Sequence, residues 1–118
     1  MIDFFAALTL FGQAAVIDGD TIELRSPIAP PARIRFQGVS APERHTPAGK
    51  AATAWLIGLA QGQWVYCDLQ IKRNGWPKKS WARFVGRCRM KSPPNPAGAE
   101  DIDLGVALIA AGHGKRDR

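Results

Sequence analysis

Acidic and basic side chains are concentrated in a short stretch of this 118-residue chain. Five of them are Asp18, Asp20, Arg33, Arg35 and Glu43. Carboxylate oxygens bind hard divalent cations, and arginine binds phosphate oxygens through paired hydrogen bonds. The stretch therefore has the residue types needed to hold a cation beside a phosphate group.

The two aspartates interrupt a run of β-branched and apolar residues that is typical of a strand. Gly19 between them can adopt a positive φ, so a turn or bulge would present both carboxylates at one rim of a sheet. Like charges this close favour a bound cation, and Asp20 is the first candidate for a direct ligand. The same Asp-Gly pair is also a common hairpin signal without any chemistry.

Further along, Arg33 and Arg35 share one face of a strand, while Ile34 and Phe36 share the other.

The order of these residues resembles that of the staphylococcal nuclease (thermonuclease) family. In that family an Asp-Gly-Asp-Thr turn precedes an arginine strand and then Asp-Ala/Thr-Pro-Glu; the matching segments here are 18–21, 33–36 and 40–43. The resemblance extends over residues 15–112. It implies hydrolysis of phosphodiester bonds in DNA or RNA with Ca²⁺ as the cofactor.

The resemblance also implies catalytic roles. Arg35, rather than Arg33, matches the first catalytic arginine of the family. Glu43 matches the residue that orients or deprotonates the attacking water, although an acid near a helix start is common for other reasons. The second catalytic arginine corresponds to Arg83, in a stretch where Trp-Ala replaces the Tyr-Gly of the family.

The metal ligands implied by the resemblance include one departure. Asp20 matches the first carboxylate ligand, but Ser40 stands where the family usually has the second. A serine hydroxyl can coordinate a cation without adding charge, so the affinity for Ca²⁺ should be lower. The main-chain carbonyl of Ala41 would be a further ligand, and Asp18 would act through a bound water.

Ser40 therefore leaves a second function open. A domain that kept the barrel and the arginines but lost the metal would bind nucleic acid or phosphate without cleaving it. Such a module could be recruited to a process such as exopolysaccharide (succinoglycan) biosynthesis, a role attributed to some nuclease-like bacterial proteins.

The charge balance favours a phosphate-bearing partner. Sixteen Lys and Arg against ten Asp and Glu give a net charge of +6, as expected of a nucleic-acid-binding domain. Basic residues alternate with aromatic ones on one predicted hairpin, a pattern that can follow single-stranded DNA or RNA and stack its bases. The candidates are Lys72, Arg73, Trp76, Lys78, Lys79, Trp81 and Arg87. A solvated charged ribbon is the alternative.

The positioning elements are predicted from patterns of strands and turns. Strand-like segments separated by turn-rich pieces cover residues 14–24, 32–39, 64–71 and 81–90. They fit an α+β, mainly β domain, the five-stranded Greek-key barrel of the OB-fold. Two helices are predicted, over residues 47–62 with Thr46 as N-cap and over residues 103–112.

The length suits one compact domain, which we assign to residues 14–112. Residues 1–13 would be either a signal-peptide remnant or the start of the first strand, and residues 113–118 would be a frayed basic tail. The apolar run over residues 4–11 is too short to span a bilayer. We expect a monomer without a membrane span.

The cysteines bear on localisation. If the predicted hairpin turns between Pro77 and Lys78, Cys67 and Cys88 lie at equal distances from the turn and face each other. A cross-strand disulfide is then geometrically possible, and it would suit a periplasmic or secreted protein. Two buried free thiols in a cytoplasmic protein are the alternative.

Overall fold

The computed structural model describes residues 8–80, 82–91 and 101–117. In chain order its elements are β1 (Leu8–Asp18), β2 (Thr21–Ser26), β3 (Ala29–Phe36), β4 (Val39–Ser40), α1 (Pro47–Ala60), β5 (Trp64–Leu69), β6 (Lys79–Ser80), β7 (Arg83–Lys91), β8 (Asp101–Asp103), α2 (Leu104–Ala110) and β9 (Lys115–Arg116).

Five of these strands close into a barrel. β1 pairs with β2 and β5, β2 pairs with β3, and β5 pairs with β7, always antiparallel. A parallel ladder between β3 and β7, with Ile34 opposite Phe84, closes the cylinder. α1 lies between the third and fourth barrel strands in the chain. This mainly β, closed five-stranded barrel with two helices confirms the predicted OB-fold class.

Alternation along the strands separates the core from the surface, as the sequence pattern predicts. In β3, Ile34 and Phe36 are buried in the barrel core, whereas Arg33 is exposed and Arg35 is partly buried. Successive strand residues point to opposite faces, so both guanidinium groups lie outside the apolar interior. This places Arg35 where it can meet groups from other strand ends.

α1 begins at the predicted position. Thr46 is its N-cap and accepts a hydrogen bond from the Gly49 amide at 3.0 Å, and a proline occupies the first turn. Ala52, Leu56 and Ala60 are fully buried on the face that packs against the barrel. The helix ends at Ala60, two residues before the predicted end.

The segment after α2 differs from the prediction. α2 is capped by Asp103, which accepts from the Val106 amide at 3.0 Å. The sequence predicts a frayed tail after it, whereas β9 pairs with β4 and the Asp117 amide donates to the Gly38 carbonyl at 2.9 Å. The tail is ordered because β4 is a strand edge with unsatisfied backbone groups. Within the described residues, neither helix has the length and apolar character needed to cross a membrane.

Two strand boundaries also differ from the sequence prediction. β1 begins at Leu8, so residues 8–13 belong to the first strand, and residues 1–7 lie outside the described part. The chain turns at residues 27–28, within the predicted turn-rich piece, but β3 then begins at Ala29 rather than at residue 32 and includes both Pro30 and Pro31. Proline tolerates extended backbone where no ladder hydrogen bond is required of it, and the β2–β3 register shifts at this end.

Cys67 and Cys88 stand directly opposite each other in the β5–β7 ladder and are joined by a disulfide. The register is the predicted one, but the chain does not simply reverse between Pro77 and Lys78. Instead, Ile71 bridges to Pro77 around one turn, and β6 pairs with the start of β7 around another. The two turns together leave β5 and β7 in the register that a single hairpin would give.

Candidate functional site

A cleft of about 490 Å³ opens at the barrel rim, where β1 turns into β2 and β3 leads into β4. It is lined by Asp18, Asp20, Arg35, Ser40, Ala41, Pro42, Glu43, Arg44, His45 and Arg83. We call this site the cleft. The structure thus brings together every residue that the sequence nominates for catalysis or metal binding, and their roles stay predictions.

The Asp-Gly-Asp turn is held in place by close packing. The β1–β2 register shifts between Val16 and Asp18, which is the bulge expected from the sequence. Gly19, however, does not have the positive φ that the sequence suggests. A Cβ on Gly19 would lie 2.8 Å from that of Ala41 and 2.9 Å from that of Ala52. Glycine is therefore required because the turn packs tightly against α1 and the segment after β4.

The two aspartates of this turn interact directly. The Oδ1 atom of Asp18 accepts a hydrogen bond from the Asp20 amide at 3.2 Å. Burial raises the pKa of the Asp18 carboxyl, and the hydrogen bond and charge of the Asp20 carboxylate raise it further. Asp20 also accepts from the Ala41 amide at 3.1 Å. Two adjacent carboxylates in a partly buried position would be stabilised by a cation.

Thr21 connects the acidic side of the cleft to the basic side, although the sequence alone predicts no role for this last residue of the Asp-Gly-Asp-Thr motif. Its side chain is fully buried. The hydroxyl donates to Asp20 Oδ1 at 3.0 Å and accepts from Arg83 Nη1 at 3.0 Å. Thr21 also pairs with Arg35 across the β2–β3 ladder. The sequence feature that could have indicated this role is the position of Thr21, directly after the second aspartate and at the start of β2.

Arg35 is held by groups that lie far apart in the sequence. Its side chain is 21% exposed, and Nη2 donates to Ser40 Oγ at 3.0 Å and to Asp117 Oδ2 at 3.3 Å. The Ser40 hydroxyl in turn donates to the other oxygen of Asp117. The hydrogen bond from Ser40 and the charge and hydrogen bond of Arg35 hold the pKa of Asp117 below its ordinary value. No sequence pattern marks Asp117, since the contact depends on the β4–β9 pairing.

Glu43 is positioned by the start of α1. Its carbonyl accepts from the Thr46 amide at 3.0 Å and from the Thr46 hydroxyl at 2.7 Å. A Cβ on Gly49 would lie 1.8 Å from the Glu43 carbonyl oxygen, so only glycine permits this contact. The backbone of Glu43 is therefore fixed by the helix, while its side chain is exposed at the cleft wall.

The predicted nucleic-acid contacts that the structure describes lie outside the cleft. We call residues 72–79, which follow β5 and include the first residue of β6, the basic ribbon. Six of the seven candidates are exposed, namely Lys72, Arg73, Trp76, Lys78, Lys79 and Arg87, whereas Trp81 lies outside the described residues. The Trp76 side chain is the most accessible aromatic described there, at 69% exposed, and its amide donates to Asn74 Oδ1 at 3.0 Å.

The candidate metal-donor atoms of the cleft are all oxygens. They come from the two aspartates, the Ser40 hydroxyl and the backbone after β4. Hard cations such as Ca²⁺ prefer these donors, so the residues present fit such an ion. Among residues 8–80, 82–91 and 101–117, no group of three or more His, Cys, Asp or Glu side chains is arranged to hold a metal.

The chain is similar to a segment of a known nuclease. It is 35% identical over 92 residues to Endonuclease YhcR of Bacillus subtilis (strain 168). The match covers 68% of this chain and 7% of the endonuclease, so the chain spans only a small part of the length of that protein. No model of a known protein family matches the chain. The chain is therefore a distant homologue of a nuclease.

Proposed function

We propose that this chain is a nuclease domain of the staphylococcal nuclease type, which hydrolyses phosphodiester bonds in DNA or RNA with Ca²⁺. The observation that carries the proposal is the convergence of Arg35, Arg83 and Glu43 with two aspartates in one cleft. The similarity to an endonuclease supports the same reaction class.

The two arginines would bind the phosphate that is attacked. Arg35 comes from β3 and Arg83 from β7, the strands that pair in parallel to close the barrel. Guanidinium groups bind phosphate oxygens through two hydrogen bonds and remain charged at any working pH. They stabilise the negative charge that develops on the phosphoryl oxygens. Preorganised donors of this kind each lower the barrier by about 3 to 4 kcal/mol.

Glu43 would accept a proton from the attacking water. The water oxygen then forms a bond to phosphorus while one phosphorus–oxygen ester bond breaks. The leaving oxygen takes a proton from solvent, because the cleft is open to water. The products are a phosphomonoester and an alcohol, so the reaction consumes one water and needs no other reactant.

Asp20, Ser40 and the carbonyl of Ala41 would hold Ca²⁺ directly, and Asp18 would hold it through a water. When bound, the ion neutralises charge on the phosphoryl group and makes the attacking water more acidic.

The rest of the molecule supports the choice of substrate and compartment. The exposed cationic side chains and Trp76 of the basic ribbon suit a single strand of DNA or RNA. We place the protein, as a monomer, in the periplasm or outside the cell, because the Cys67–Cys88 disulfide persists in oxidising compartments.

The test is hydrolysis of single-stranded DNA and RNA in the presence of Ca²⁺ or EDTA. We expect cleavage that EDTA abolishes. Arg35→Ala should reduce it by about 10²- to 10³-fold. Arg33→Ala is the matched control, because Arg33 lies on the same strand, is 53% exposed and pairs with Glu23 rather than with the cleft. Its activity should stay near that of the wild type.

The contrary result would be salt-dependent binding of the same oligonucleotides without any cleavage. That outcome would identify a nucleic-acid-binding module that uses the arginines without the chemistry.

A further inference from the structure

A carboxylate that no motif indicates contacts two residues that line the cleft, Arg35 and Ser40. Ser40 brings no charge to a position where the resemblance implies an acid. Asp117, 77 residues further along the chain, contacts the Ser40 hydroxyl through its carboxylate. We propose that Asp117 supplies the negative charge that Ser40 lacks at the divalent-cation site, acting through Ser40 as a positioning residue rather than as a catalytic one. The inference rests on the proposed function.

The fold carries Asp117 to this place. β9 lies antiparallel to β4, with Val39 opposite Arg116 and Ser40 opposite Lys115. The amide of Asp117 completes the ladder by donating to the Gly38 carbonyl. The side chain of Asp117 therefore starts from a hydrogen-bonded backbone next to Ser40.

The segment before β9 is also anchored to the core. A Cβ on Gly114 would lie 2.8 Å from Leu108 Cδ2 and 3.2 Å from Val39 Cγ1, so the backbone packs closely on both side chains. The ring of His113 lies 5.7 Å from the ring of Trp55 on α1. These contacts make the position of Asp117 a property of the fold, because the chain leading to it is packed against the core.

The hydrogen bonds around Ser40 show how Asp117 would act. Ser40 Oγ donates its proton to Asp117 and accepts from Arg35 Nη2 at 3.0 Å. A hydroxyl oxygen has two lone pairs, so one is left to face a cation. A carboxylate behind the hydroxyl makes this oxygen a stronger ligand, because it polarises the O–H bond.

Asp117 also adds charge close to Asp20. Asp20 Oδ2 accepts from the Ala41 amide, and Asp117 contacts the side chain of Ser40. The two carboxylates are therefore bound to consecutive residues of the same segment. At 35% exposure the Asp117 side chain is only partly screened by water. Arg35 offsets part of its negative charge, and the remainder would raise the affinity of the cleft for a divalent cation.

Asp117 has a second effect, on the orientation of Arg35. It accepts from Nη2 at 3.3 Å, and Arg35 is among the residues that line the cleft. Arginine has five donors in a planar fork, so a partner at one edge fixes the plane in which the others meet a phosphate. Loss of Asp117 should therefore lower kcat even when the cation is saturating.

The experiment is calorimetry with CaCl₂ alone on the wild type, Asp117→Asn, Ser40→Asp and the double variant. Asp117→Asn should bind Ca²⁺ at least tenfold more weakly, a change of about 1.4 kcal/mol. Ser40→Asp should restore most of this loss in the Asp117→Asn protein. In the wild type it should gain less, because the introduced carboxylate would then face that of Asp117. A packing role for Asp117 would not produce this dependence of one substitution on the other.

The matched control is Asp68→Asn, the same substitution with the same change in charge. Asp68 lies on β5 and interacts with Thr9 and Arg89, outside the cleft. Its Ca²⁺ affinity should equal that of the wild type. Thermal unfolding shows whether each variant is folded. If Asp117→Asn is not, Asp117→Ser takes its place, because it keeps a hydrogen-bonding side chain without the charge.

Unchanged Ca²⁺ affinity in a folded Asp117→Asn protein would overturn the inference. So would tighter binding of inorganic phosphate by this variant with unaltered Ca²⁺ affinity, because Asp117 would then compete with phosphate for Arg35. In both cases, cleavage by the wild type would leave the proposed function intact. A wild type that neither binds Ca²⁺ nor cleaves DNA would overturn both.

Discussion

The cleft and the basic ribbon are both rich in charge, but they are built in opposite ways. In the cleft, Thr21 bonds to both Asp20 and Arg83, and Arg35 bonds to Ser40 and Asp117, so the side chains fix one another. In the basic ribbon, backbone groups bond to one another, as from Lys72 to Trp76, and the cationic side chains are exposed. Catalysis at a phosphate requires hydrogen-bond donors that are held in fixed positions. Binding of a nucleic-acid strand of any sequence requires only cationic side chains that can adjust to its phosphates.

The largest effect should come from substituting the second arginine of the cleft. Arg83→Ala should lower kcat by about 10²- to 10³-fold, because the donor acts on charge that develops during the reaction. Lys78→Ala in the basic ribbon should instead raise KM, leave kcat unchanged and lower the slope of log affinity against log salt by about 1. Steady-state kinetics on single-stranded DNA at several salt concentrations would measure both. Equal loss of kcat in the two variants would remove the distinction between the regions.

The disulfide between Cys67 and Cys88 should stabilise the strands that carry both regions. It joins β5 to β7, the strands that precede and follow the basic ribbon in the chain, and β7 also carries Arg83. Cys67→Ala with Cys88→Ala should lower the free energy of unfolding by about 3 kcal/mol in the chain-entropy model. Urea unfolding measures this change. Protein purified without reductant should show no reactive thiol after denaturation, and two titratable thiols would contradict the bond.

A smaller effect is expected where the cleft meets α1. Gly49→Ala would place a Cβ 1.8 Å from the Glu43 carbonyl oxygen, so the helix start or Glu43 must move. The expected loss of stability is about 1 to 3 kcal/mol, and cleavage should fall as well. Gly58→Ala is the matched control on the same helix, since a Cβ there meets nothing within 4 Å. It should be neutral or stabilising, by about 0.5 to 1 kcal/mol. Thermal unfolding and cleavage rates of Gly49→Ala and Gly58→Ala, each compared with the wild type, would measure these effects.

The smallest effect should come from Trp76, whose side chain is 69% exposed at the tip of the basic ribbon. Trp76→Ala should weaken binding of single-stranded DNA by about 1 kcal/mol, the lower end of what one stacked base contributes. Neither stability nor kcat should change. Fluorescence titration of the wild type and the variant with a short oligonucleotide would show the difference in affinity. Equal affinities would mean that Trp76 does not stack on a base.

Local patterns were enough to predict much of the fold. The alternation from Arg33 to Phe36 predicted which side chains enter the core, and Thr46 with the following proline predicted where α1 begins. A single turn assumed between Pro77 and Lys78 places Cys67 opposite Cys88, and this pairing is correct. The connection itself is different, because two turns join β5 to β7.

Contacts between distant residues explain what was missed. The role of Gly19 depends on how closely α1 approaches, and no local pattern reports that distance. β4 and β9 are two residues long, too short for any periodicity to mark them. Asp117 therefore looked like part of a charged tail, although it lies against Arg35.

The parallel ladder between β3 and β7 has a consequence for when the proposed activity can appear during folding. Ile34 faces Phe84 and Arg35 faces Val85 in this ladder, so one set of hydrogen bonds closes the barrel and brings the two arginines to one cleft. A slip by one residue would turn Arg83 toward the apolar interior and Phe84 toward solvent. A chain with an open barrel thus has all the reactive groups but cannot assemble them. Appearance of cleavage during refolding would consequently report barrel closure, at the time when β3 and β7 join.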